Sequence, residues 1–148
     1  MATLKEQLLT DEIRPQLVRD CCTLLDNEVS RKRGFKGLAV KAAYKTVKAL
    51  RRGFVPGVVD ALLDEWVDEL EPFYADYAGQ ESVSFSRFLE TRRSEVAECL
   101  LSVTDKRAKT TTHRTAAKAY NKLRPGAKSN VEEALPQLGD VVAKYLVN

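Results

Sequence analysis

The feature that most constrains this chain is one run of apolar residues spaced by three and four: Val59, Leu62, Leu63, Trp66, Leu70, Phe73, Tyr74 and Tyr77. Successive residues of an α-helix turn by about 100°, so this spacing gathers all eight on a single stripe, whereas a strand would scatter them over both faces. A helix with such a stripe has to bury it against other elements. The same spacing recurs along most of the chain, and neither alternating β-branched runs nor an Asn-Gly hairpin signal occurs. The fold class is therefore all-α. With 148 residues, 44% of them hydrophobic, the chain can build one core without disulfide or metal, because a domain this size buries about 70% of its unfolded surface. No apolar run reaches the roughly 20 residues of a membrane span, and the opening MATLKEQLLTDE lacks the basic-then-apolar order of a secretory signal. The expectation is one cytoplasmic domain over residues 1–148 with no membrane partner.

Local signals divide the chain into six or seven helices. Thr3 and Glu6 have the spacing of a capping box for a short first helix, and Pro15 suits the start of a second that carries Leu17, Val18, Cys21, Leu24, Leu25 and Val29. Gly34 and Gly37 punctuate that helix. A third is expected from Leu38 to Arg52, stopped by Gly53 in a left-handed turn. The Trp66 helix opens near Pro56, bends at Pro72 and ends near Gly79. Ser84 is the expected N-cap of a fifth, with Phe85, Phe88, Leu89, Val96, Leu100 and Val103 on one face. A sixth is expected over 112–124, bounded by Pro125 and Gly126, and a last one from Ser129, bent at Pro136.

Shifting the chain by 73 residues sets 40–62 against 113–135 with eight of 23 pairs identical, among them Ala43/Ala116, Lys45/Lys118, Gly53/Gly126 and Leu62/Leu135. One reading is a duplicated three-helix unit, about 12–75 and 84–148, with Gly53 and Gly126 in equivalent hairpin turns. The other is that two amphipathic segments rich in Ala, Leu and Lys align by composition.

Catalytic signatures are missing: no phosphate-cradling glycine loop, no HExxH and no GxSxG. Cys21, Cys22 and Cys99 form no metal-ligand spacing with the single histidine, His113, and read as ordinary buried thiols. His113 has no nearby acid to orient it. Asp60, Asp64, Asp68 and Glu71 step along one helical face and read as a solvated surface rather than a cation site. No catalytic, cofactor or metal residue is assigned, and a non-enzyme is expected.

Charge is the unusual property, because a net +3 hides strong segregation. Residues 31–52 hold nine Lys and Arg with no acid, 53–86 hold eight acids with no base, and 106–131 hold eight bases with no acid. At about 100° per residue, Lys41, Lys45, Lys48 and Arg52 fall together, opposite Ala39, Ala43, Val47 and Leu50. Arg114, Lys118 and Lys122 lie opposite Ala116, Tyr120 and Leu123 in the same way. These seven cations are the candidate polyanion-binding residues, since a basic face binds phosphates by releasing counterions.

The stretches GFKGLAVKAAYKTVKALRRGFVPGVVDALL, EPFYADY and LRPGAKSNVEEALPQLG, with landmarks at 34, 37, 53, 56, 57, 125 and 136, resemble a bacterial family of about 150-residue proteins without assigned function. The resemblance implies a helical single-domain protein and carries no active site. The expected role is a non-enzymatic binding or protein-interaction module with an unidentified protein partner; Phe54 and Val55 at the hairpin tip read either as a plug for the protein's own core or as a contact for a second copy. The alternative is weak, sequence-independent nucleic-acid or polyanion binding through the basic helix faces.

Overall fold

The structure, a computed structural model, describes residues 2–78 and 82–146, so the expected stop at Gly79 lies outside the described residues. Seven helices and no strand occur among them: α1 (Leu4–Leu8), α2 (Ile13–Arg31), α3 (Gly34–Lys48), α4 (Phe54–Tyr77), α5 (Phe85–Thr91), α6 (Arg93–Thr110) and α7 (Arg114–Ala143). The all-α class and the single bundle expected from periodicity are what the chain adopts.

The stripe on α4 becomes the centre of the molecule. Val59, Leu62, Leu63, Leu70, Phe73 and Tyr74 are buried together with Val67, and α1, α2 and α6 pack around them. Pro72 lies inside α4 and the helix continues past it to Tyr77. The capping box of α1 forms as the spacing predicts, with Thr3 Oγ1 accepting from the Glu6 amide at 3.1 Å and Glu6 Oε1 accepting from the Thr3 amide at 2.9 Å. Gly53 carries the expected left-handed turn, at φ 77°, immediately before α4. Phe54 next to it is buried and meets the His113 ring edge-on at 5.2 Å. The hairpin tip therefore plugs its own fold and does not present Phe54 to a second copy.

Three boundaries differ from expectation. The third helix begins at Gly34 and ends at Lys48, about four residues earlier at each end, and Ala39 is exposed while Val40 turns inward. Ser84 does cap a helix, accepting from the Arg87 amide at 3.1 Å, but the run over 85–103 is broken at Arg92. There the backbone leaves the helical region (φ −121°, ψ 29°). The Arg92 guanidinium stacks 4.6 Å over Phe73 and bonds Asp76 at 2.6 Å and Glu95 at 3.0 Å. This anchorage compensates the interrupted ladder and lets α5 and α6 each turn an apolar face inward.

The third difference is a fusion. The expected sixth and seventh helices are one 30-residue helix, with Pro125, Gly126 and Pro136 all inside α7. Pro125 removes a bond to the carbonyl of Asn121, which lies on the exposed side of the helix where water can replace it. Leu123, Ala127, Val131 and Leu135 keep one face continuous through both prolines. Gly126 is thus mid-helix while Gly53 makes a turn, so the expected second hairpin does not form and the two halves matched by the 73-residue shift are connected differently. Further along, α7 meets α5 closely: a Cβ at Gly139 would lie 2.4 Å from Ser86 Cα, and Ser86 Oγ donates to the Pro136 carbonyl at 2.8 Å.

Candidate functional site

Between α2, α4, α6 and α7 the bundle leaves a cavity of about 370 Å³. Its wall is almost entirely carbon, from Leu24, Leu25 and Val29 on α2, Leu63 and Trp66 on α4, Leu100 and Leu101 on α6, and Leu123, Val131 and Leu138 on α7, with Val40 contributed by α3. Leu24, Leu25, Leu100, Leu123 and Leu138, on the inner faces of their helices, line this partly open space and are only half-buried. An engineered apolar cavity of about 150 Å³ accepts benzene, so this one has room for on the order of fifteen non-hydrogen atoms.

Few polar groups reach this wall. Trp66 turns its indole N–H away to the Leu100 carbonyl at 3.2 Å. Tyr120 is tied to Thr104 at 2.8 Å and donates to Asp105 at 2.6 Å, and Arg124 holds the same carboxylate through Nε at 2.8 Å and Nη2 at 3.2 Å. Burial and the Asp105 carboxylate push the Tyr120 phenol up to about 12, so it remains a neutral donor. Elsewhere on the wall stands Glu28, only 6% exposed, with Lys32 and Asn130. Its Oε2 accepts no hydrogen bond among the described residues, although Lys32 Nζ stands 3.7 Å from it and Arg31 3.5 Å from Oε1. Oε2 is sealed within the protein and is balanced by the Lys32 charge rather than by a hydrogen bond. Cys21 also lines the cavity, and burial, with lesser contributions from Cys22 and Asp20, pushes its thiol up to about 12, so it remains a thiol at neutral pH.

The candidate polyanion residues lie on the surface. Lys41, Lys45, Lys48, Arg52, Arg114, Lys118 and Lys122 are all exposed, and α3 packs against α7. Only Lys48 makes an ion pair among the described residues, with Asp26 at 3.1 Å. The acidic stripe is engaged from another side. Arg14 bonds Asp60 at 2.8 Å and Asp64 at 3.1 Å, while Glu71 accepts from the Leu4 amide at 2.8 Å. No group of three or more His, Cys, Asp or Glu suited to one metal ion occurs among the described residues.

A family model matches residues 4–146, nearly the whole chain. The chain belongs to DUF6918, a family of unknown function. Neither a curated protein nor a solved structure matches it. The glycines and prolines that carried the resemblance in the sequence fall within the matched stretch: Gly34 and Gly37 at the α2–α3 corner, Gly53 and Pro56 at the start of α4, Pro125 and Pro136 within α7. The cavity itself was not legible in the sequence. Its lining residues have the spacing of ordinary core positions, and only Glu28, a carboxylate on the apolar side of α2, departs from that pattern.

Proposed function

We propose that this protein is a non-enzymatic binding module that takes a small, largely apolar molecule into the cavity between α2, α4, α6 and α7. The observation that carries this reading is a carbon-lined space of about 370 Å³ walled by the inward faces of four helices. The wall offers no nucleophile–base pair, and its tyrosine is tied up in a network with Asp105 and Arg124, which suits retention better than reaction. A cytoplasmic, bacterial setting belongs to the same proposal.

A titration with the neutral fluorophore N-phenyl-1-naphthylamine tests it. Saturable fluorescence enhancement is expected, and Ala127→Leu with Ala134→Leu, which fill the space, should abolish it while the helical signal is retained. Absence of saturable binding, or binding unchanged in the filled variant, overturns the reading.

Polyanion binding is the second reading, favoured by Lys41 and Lys45 on α3 and Arg114, Lys118 and Lys122 on the adjoining α7, all exposed and without a carboxylate partner among the described residues. A gel shift at low salt that is lost in Lys45→Glu with Lys118→Glu would support it.

A further inference from the structure

The most exposed large apolar side chains of the molecule are neighbours on one helix. Phe35 is 93% and Leu38 64% exposed, one turn apart on α3. Helical geometry places Ala42 between them in azimuth, all three within about 60°, and Ala42 and Thr46 are exposed as well. The opposite side of α3, with Val40 and Val47, faces the bundle. α3 is therefore amphipathic outward as well as inward: its solvent side carries an apolar strip, bordered along one edge by Lys41, Lys45 and Lys48. Such a strip has no solvating role, and a monomeric domain rarely leaves phenylalanine almost fully exposed without a use for it.

Beside the strip lies a polar hollow of about 320 Å³ lined by Ser30, Lys32, Arg33, Gly34, Leu38 and Lys41. No acidic residue among the described residues lines it. Lys32 is occupied with Glu28 and Glu133, at 3.7 and 3.5 Å, but Arg33 and Lys41 pair with no carboxylate among the described residues. Leu38 belongs to both the hollow and the strip, so cationic and apolar surface adjoin on one side of the molecule.

We infer that the outer face of α3 docks on the surface of an anionic phospholipid membrane, Phe35 and Leu38 entering the acyl boundary while Arg33, Lys41 and Lys45 meet headgroup phosphates. Each part of the face matches one layer of that partner: apolar side chains match the acyl edge, and long cations flanking them match the phosphate plane. Nucleic acid answers the cations and leaves Phe35 and Leu38 in water; a second copy of this face answers the apolar strip and opposes like charges. No helix of the described residues is long and apolar enough to cross a membrane, so the attachment is lateral and reversible. This surface is independent of what the cavity takes, although Val40 of the same helix belongs to the cavity wall.

Co-sedimentation of the full chain with vesicles tests the inference. Binding is expected to vesicles of phosphatidylcholine mixed with phosphatidylglycerol, and little to phosphatidylcholine alone. Phe35→Ser with Leu38→Ser should reduce partitioning roughly tenfold or more, and Arg33→Ala or Lys41→Ala roughly fivefold each. Because all four side chains are exposed or flank an open hollow, circular dichroism should be unchanged, which separates lost docking from lost folding. The inference is overturned if anionic vesicles are not bound, if the double serine variant binds as the parent does, or if single-stranded RNA competes fully and the serine variant retains RNA binding.

Discussion

The α2–α3 and α6–α7 corners are closed by the same three-residue stitch. At the first, Asp26 of α2 accepts from Tyr44 Oη at 2.7 Å and Lys48 Nζ at 3.1 Å; at the second, Asp105 of α6 accepts from Tyr120 Oη at 2.6 Å and Arg124 Nε at 2.8 Å. Tyrosine and cation stand four residues apart in both, one turn along the second helix. The outcomes differ. Past its stitch, α7 runs on to bury Leu135, Gly139 and Val142, whereas α3 ends at Lys48 and buries only Gly37. A polar stitch sets how two helices lie across one another; how firmly the second is held depends on the apolar surface it buries afterwards.

The largest test of that contrast uses the two glycines of close approach. At Gly139 a methyl group would meet the Ser86 backbone at 2.4 Å, and at Gly37 the Lys32 carbonyl carbon at 2.7 Å. Gly139→Ala should cost about 3 kcal/mol, seen as a lower urea midpoint for the whole protein, because α5 and α7 cannot separate without opening the core. Gly37→Ala should cost about 1 kcal/mol, with amide exchange accelerated in α3 and little changed in α4. Equal global losses would remove the distinction between the corners.

Removing each phenol sharpens the comparison. Tyr120→Phe removes one of the donors to Asp105 and the phenol oxygen beside Thr104, and should cost about 1–1.5 kcal/mol. Tyr44→Phe, in a more exposed stitch, should cost roughly half as much by the same measurement.

Acid should reveal both stitches. Arg124, with Tyr120, holds the Asp105 carboxyl below its ordinary value, and Tyr44, with Lys48, does so for Asp26. A carboxylate whose folded pKa is lowered contributes stability that is complete above its unfolded pKa, about 3.9, and lost as pH falls through the folded one. Arg124→Met should therefore narrow the stability difference between pH 6 and pH 3 relative to the parent. An unchanged difference would show that Asp105 does not contribute to acid sensitivity.

The smallest effect expected is on Phe35→Ser, which should leave the urea midpoint within about 0.5 kcal/mol of the parent because the ring buries almost nothing in the folded chain. A larger loss would mean that α3 is seated more firmly than its burial implies.

Periodicity made the class, the α4 stripe, the α1 capping box and the Ser84 cap legible before any coordinates, since each depends on residues within a turn of one another. The break at Arg92 and the passage of α7 through Pro125 were not legible, because both depend on partners far along the chain: Phe73 and Asp76 for the first, and for the second the inner face of α7 against the rest of the bundle. The candidate cations of α3 and α7, and Arg52 between α3 and α4, are exposed as their spacing implied. Phe35 was not singled out, since a phenylalanine at the start of a helix reads as a core residue until the direction of the helix is known. The cavity was invisible for a related reason: spacing identifies which side chains face inward, and says nothing about whether opposing ones meet.

The continuity of α7 also bears on the order in which the chain acquires its structure. During synthesis α1 to α6 leave the ribosome before α7, at about 5–20 residues per second. Until α7 arrives, Leu24 and Leu25 of α2 and Leu100 of α6 lack the apolar wall that Leu123, Val131 and Leu138 supply, and α5 lacks the partner that Gly139 allows so near to it. Until its last helix is made, the chain therefore has no cover for these apolar side chains.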